Sequence, residues 1–182
     1  DFGTEGARET LKHLSVIGVV HAGLGRNRAE ARTPRLITAK DSTFALGALG
    51  IIGNAYSSPA ENEKRAGQLS YSEAGDLEEA VTTLAATQAD YRILSVHYGQ
   101  EFEVKTAPAD RRRLMQAVAD GADMVVGHHQ HVVAGIEIVD GAPVFYGLGN
   151  FLHWGTQDMS RFDICRDYGL IARVHLTAVD GE

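Results

Sequence analysis

The sequence predicts an α/β fold that closes with an antiparallel stretch, α+β in the broader sense, and three observations carry that prediction. Helical and strand patterns alternate between Asp76 and Val126. Two of the strands so read, over 91–96 and 123–126, run straight into histidines, and a last hairpin over 136–146 is folded about Asp140-Gly141. With 182 residues, 44% of them hydrophobic and 23% charged, the chain is a globular domain or most of one and long enough to bury a core.

Taken in order, Thr4 is placed to cap a first helix, with Glu5 in its first turn, Ala7, Leu11 and Leu14 on one face, and an end near Gly18. Val19-Val20 then starts a short strand into Gly23-Leu-Gly25, glycines that read as a tight turn ahead of a phosphate cradle. His21, alone at that strand's end, reads as a satisfied structural histidine. A helical turn over 27–31 precedes two strands, 35–39 and 43–52, joined at Lys40-Asp41. From Ala55 to Gly75 the chain turns polar, which predicts one long surface loop, either a lid or a mobile connection.

Asp76-Leu-Glu-Glu79 has the form of a capping box, and Leu77, Ala80, Val81, Leu84 and Ala85 make the stripe of a core-facing helix. Asp90 leads into the buried-strand pattern over 91–96, which stops at His97. Pro108 near a helix start, Asp110 in the first turn, and Leu114, Met115 and Val118 on one side predict the next helix, ending at Gly121. The strand over 123–126 follows, then the hairpin, for which Asp-Gly is the expected turn, and a final strand over 168–178.

A formal net charge of -7 lacks the electrostatic footprint of a nucleic-acid binder, so Arg111, Arg112 and Arg113 read as the solvated face of a helix. The single cysteine, Cys165, excludes an internal disulfide and leaves the redox compartment open. The longest apolar run, over 44–53, falls well short of the ~18 residues of a membrane span. The chain opens with Asp1-Phe2-Gly3 and shows no signal peptide, a start that reads as a cut, a processing site or the first ordered residue.

Chemistry concentrates at the strand ends. His128, His129 and His131 follow one strand and His97 ends another, which brings imidazoles to the carboxyl edge of a sheet, where α/β proteins build sites. Neutral imidazoles suit zinc, manganese or iron, and such ions activate water and hold phosphoryl oxygens; the plainer reading is a polar loop. Glu101, four residues after His97, is placed to orient a histidine, bind substrate or move a proton, or else is a surface glutamate.

These residues resemble the bacterial capsule-synthesis CapA, or poly-γ-glutamate synthesis PgsA, family. His97-Tyr-Gly-Gln-Glu101 is similar to its H-[WY]-G-x-E motif, Gly127-His-His-Gln-His131-Val to G-x-H-P-H-V, and Tyr146-Gly-Leu-Gly-Asn-Phe151 to Y-S-L-G-N-F. Each motif alone is weak; the three in order, over most of the chain, are specific. The resemblance implies a calcineurin-like metallophosphoesterase fold, a β-sandwich flanked by helices, with residues 1–182 as a CapA-like domain incomplete at its amino terminus. It implies a divalent transition-metal site, dinuclear in the intact protein, with His97, His129 and His131 as ligands and Glu101 as the catalytic or supporting carboxylate. Asn150 matches the asparagine of the last motif, as a structural turn or a contact, while His128 falls on a position the pattern leaves open and takes no ligand role. Gln130 stands where the family has proline and Gly147 where it has serine, changes that leave the ligands intact.

The family's early G-D, N-L-E and N-N-H-x-x-D-x-G motifs are absent. Asp1-Phe2-Gly3 resembles the tail of the last of these, which makes Asp1 a candidate for touching substrate or supporting a ligand, and implies that the carboxylate half of the site lies upstream. The implied role is capsule or poly-γ-glutamate synthesis or export in bacteria, with metal-bound hydroxide attacking a phosphoester. Two alternatives stand beside it: a non-catalytic component that binds an anionic polymer or other capsule-synthesis proteins, and a protein with one structural metal ion. Members of the family are often membrane-anchored and extracytoplasmic through an amino-terminal segment, which here would lie outside the chain.

Overall fold

The computed structural model describes residues 3–50, 65–151 and 168–176. Helix α1 spans Gly3–Val16, beginning one residue ahead of the expected cap, and buries Ala7 and Leu11. Beyond it Val19 and Val20 are 47% and 55% exposed and form no strand, contrary to expectation. The two-residue strand β1 falls instead at Leu24–Gly25, because that is where a ladder partner exists: β4, Gly67–Gln68, pairs Leu24 with Gln68 and Gly25 with Gly67. Asn27 caps α2, Arg28–Arg32, its side-chain oxygen accepting from the Glu30 amide at 2.8 Å.

Strands β2, Arg35–Ala39, and β3, Ser42–Leu49, form the expected hairpin, with β3 ending at Leu49 and residues 51–52 of the expected strand lying outside the described residues. With β5 (Tyr91–His97), β6 (Met124–His128), β7 (Ile136–Val139) and β8 (Ala142–Phe145) they make one six-stranded sheet in the order β2-β3-β5-β6-β8-β7. The four inner strands are parallel and the two edges antiparallel, and α3 (Asp76–Ala85) and α4 (Pro108–Ala119) pack on the sheet. This mixed sheet flanked by helices agrees with the metallophosphoesterase-like α/β expectation. The β7–β8 turn has positive φ at both Asp140 (49°) and Gly141 (86°), the requirement that makes Asp-Gly the usual choice.

Strand periodicity decides where the chemistry lies. Leu94 and Val96 of β5, Val125 of β6 and Val144 of β8 point at Leu77, Val81 and Leu84 of α3 and Leu114 and Ala117 of α4, forming the core. The alternate residues, Ile93, Ser95 and His97 on β5 and Met124, Val126 and His128 on β6, share the opposite, less covered face. Among the described residues no helix is long and apolar enough to cross a membrane.

Several expectations are corrected. The polar segment expected at the surface is buried over much of its described part: Ala66, Leu69 and Ser70 are fully buried and Tyr71 nearly so, while residues 55–64 lie outside the described residues. The capping box does not form. Gly75, at φ 88°, precedes α3 without a side-chain cap, and the two carboxylates turn to α2 and its surroundings instead. Asp76 accepts from Arg28 at 2.6 Å and from the Ser70 amide at 2.8 Å, and Glu79 pairs with Arg28 and Arg32. Nor is the arginine triplet simply solvated: Arg111 forks onto Glu137 at 2.7 and 2.8 Å, and Arg113 stacks over the Tyr71 ring at 4.1 Å. Residues 168–176 take no strand, having no ladder partner among the described residues, and 177–178 lie outside them.

Asp76 supplies a stability prediction. It is 5% exposed, and removing its carboxylate leaves the Ser70 amide without its acceptor in the interior and takes one of two carboxylates from Arg28. Asp76→Ala is expected to cost about 3 kcal/mol in urea unfolding.

Candidate functional site

Strands β5 and β6 are in register with His97 opposite His128, so two adjacent parallel strands end side by side in histidine. The His97 ring lies 5.0 Å from that of His128 and 4.4 Å from that of His129, centroid to centroid. His129 and His131 are 6.4 Å apart. The chain therefore brings together all four histidines expected at these strand ends, and β6 runs two residues beyond the expected end at 126.

His128 is turned towards Ser95, with Nε2 3.2 Å from Oγ. Sequence reading passed over Ser95, although its position two residues before His97 on a strand puts it on the same face. His131 meets Asn150 through Nδ1, 2.8 Å from Oδ1, and its Nε2 lies 4.0 Å from Glu101. The ring is thus held between Asn150 on its Nδ1 side and Glu101 on its Nε2 side. Asn150 lies against His131, one of the clustered histidines. Glu101 is close enough to act on the cluster and remains half-exposed. Asp1 lies outside the described residues.

Backbone strain accompanies this arrangement. His129 has φ 118° and His131 φ 57°, left-handed values that few non-glycine residues adopt, and Phe102, next to Glu101, has φ 66°. Away from the cluster, His21 differs from its expected satisfied state: its Nδ1 is buried and has no hydrogen-bond partner among the described residues.

The electrostatics favour neutral rings. Burial pushes the His97 imidazole down to about 4, and the neighbouring His128, His129 and His131 act in the same direction. His129 is also lowered, by burial first, with Glu101 opposing and His131 assisting. In the metal-free protein this predicts a pH-dependent stability. Unfolded His97 binds its proton near 6.5 and the folded ring only near 4, so the unfolded state carries the extra proton between these values. Stability is full above about pH 6.5 and falls towards pH 4 by about 2 kcal/mol, allowing for the ring's partial exposure. Urea unfolding at several pH values is expected to show this slope, and His97→Gln to flatten it.

The donor chemistry suits a borderline metal, yet its geometry is partial. The His97 and His129 rings lie 4.4 Å apart, whereas His131 stands 6.4 Å from His129 and meets Asn150. Among the described residues no group of three or more His, Cys, Asp or Glu side chains is arranged to hold a metal ion.

Comparison with known proteins identifies the family. A family model described as bacterial capsule synthesis protein PGA_cap matches residues 1–154. The PGA biosynthesis protein CapA of Bacillus subtilis is 31% identical over 156 residues, covering 84% of this chain and 39% of that protein. The capsule biosynthesis protein CapA of Bacillus anthracis is 24% identical over 154 residues, 84% of this chain and 37% of that protein. A probable polyglutamine synthesis accessory protein of Mycobacterium tuberculosis is 29% identical over 157 residues, 82% of this chain and 41% of that protein. The chain spans about two fifths of the length of these curated relatives. With the histidine and L-G-N-F segments inside the matched region, the chain belongs to the bacterial capsule synthesis protein family PGA_cap.

Proposed function

We propose that this chain contributes the imidazole half of a divalent transition-metal site, for manganese, zinc or iron, in a protein of capsule or poly-γ-glutamate synthesis. In this reading the intact protein is a metal-dependent phosphoester hydrolase, and the site is dinuclear there. The observation that carries it is the meeting of His97 and His129, 4.4 Å apart, at the ends of adjacent parallel strands, with protonation of both disfavoured. Neutral imidazole is the ligating form. The relatives named for PGA and capsule biosynthesis support the physiological part.

Divalent ions in such a site supply Lewis acidity towards a phosphoryl oxygen and activation of water. Ligation, orientation and proton handling fall to this chain's own residues. His97 and His129 present neutral nitrogens, and Asn150 holds the His131 ring through Nδ1. Glu101, beside His131, is placed to accept a proton at its carboxylate or to hold substrate. The test is turnover of a chromogenic phosphodiester by the intact protein with added Mn²⁺, which Glu101→Gln is expected to lower by about 10²- to 10⁴-fold.

A second reading is a non-catalytic component that binds an anionic polymer or other capsule-synthesis proteins, which the relative named as a synthesis accessory protein supports. Binding of poly-γ-glutamate that survives metal chelation, with no phosphodiester turnover under any of the three ions, would select it.

A further inference from the structure

The two departures from the family motifs, Gln130 for proline and Gly147 for serine, meet in the fold. Gln130 is 5% exposed. Its Nε2 donates to the carbonyl of Tyr98, the residue after His97, at 2.8 Å. Its own carbonyl accepts from the amide of Phe102, the residue after Glu101, also at 2.8 Å, and the Tyr98 amide donates to the His128 carbonyl at 3.1 Å. Three hydrogen bonds thus join the segment after β5 to the end of β6 and the segment that follows it, and Gln130 makes two of them. Proline at 130 would have no side-chain donor for the Tyr98 carbonyl.

The far side of the amide explains the second departure. Oε1 of Gln130 is buried and has no hydrogen-bond partner among the described residues. A Cβ on Gly147 would stand 3.1 Å from that oxygen, 3.2 Å from the Val132 carbonyl oxygen and 3.3 Å from the Ala134 Cβ. The glutamine amide takes up the room that a side chain at 147 would claim, and the backbone carbonyl beside it has little freedom to give way.

We infer that Gln130 is a positioning residue for the histidine cluster, clipping its two segments together, and that Gly147 is the companion its side chain requires. The inference rests on the proposal that these segments form the functional site, and it holds whether or not metal is bound. Gln130→Met keeps the volume and removes the amide. In the intact, metal-free protein this substitution is expected to speed hydrogen exchange of the Tyr98 and Phe102 amides at least about tenfold, with the core amides of Leu94 and Val125 unchanged. Gly147→Ala is expected to speed the same two amides in the wild-type background and to add less than about threefold in Gln130→Ala, where the amide is gone. Unchanged exchange at Tyr98 and Phe102, or equal acceleration across the sheet, overturns the clip. Equal effects of Gly147→Ala in both backgrounds overturn the pairing. Metal titration of the same proteins separates this from the functional reading: a wild type that binds no metal refutes the latter, and the exchange data still decide the former.

Discussion

Replacing His129 and His131 together with alanine is expected to lower the affinity of the intact protein for Mn²⁺ or Zn²⁺ by at least about a thousandfold, measured by calorimetric titration. The magnitude follows from removing two ligand nitrogens, when even the loss of a supporting partner costs about 10–100-fold. The fold should survive, because both residues lie beyond the end of β6 and neither ring belongs to the buried core. Strain sharpens the point. At φ 118°, His129 occupies backbone that glycine tolerates far better, and such strain costs about 1–3 kcal/mol. His129→Gly is therefore expected to raise the stability of the metal-free protein by about 1 kcal/mol while losing metal affinity. A histidine kept at a cost to stability is what a ligand role requires; a polar loop would give unchanged affinity in both variants.

Gly127→Ala is expected to be the most damaging single methyl in the sheet. Gly127 precedes His128 on β6 and is paired opposite Val96. An added Cβ would come 2.5 Å from Cε1 of Tyr98, 2.7 Å from the Tyr146 carbonyl oxygen and 3.0 Å from that of Phe145. The Tyr98 ring cannot simply swing aside, since it is 1% exposed and its hydroxyl donates to the same Tyr146 carbonyl at 2.9 Å. Two backbone carbonyls and a locked ring must move, so a loss of about 3 kcal/mol is expected in urea unfolding. Because β6 and β8 separate together, the variant should also lose metal affinity; full stability would show that the sheet accommodates the methyl.

Much of the architecture was legible from the chain. The apolar stripe from Leu77 to Leu84 marks α3 correctly, and Asp140-Gly141 marks its hairpin, since both signals arise from neighbours in sequence. The histidine-bearing strands were legible for the same reason. What escaped depends on partners far away in the chain. Asp76 and Glu79 have the letters of a capping box, but Arg28 and Arg32, nearly fifty residues earlier, draw their carboxylates away from the helix end. The segment around Leu69 and Tyr71 looks polar by composition and is buried by tertiary packing. Val19-Val20 and residues 168–176 have strand-like sequences, yet a strand also needs a ladder, and the described residues offer them none. At the site, sequence identified the histidines but could not foresee that His97 and His128 fall in register, that Ser95 takes up His128, or that Gln130 reaches across to Tyr98.

The central claim, that the clustered histidines are the imidazole half of a metal site, is tested most directly by the metal content of the intact protein, measured by elemental mass spectrometry. About two transition-metal ions per molecule in the wild type, lost in the His129→Ala, His131→Ala double variant, is the predicted result. No bound metal after reconstitution with manganese, zinc and iron, or a content that the double variant leaves unchanged, would contradict it.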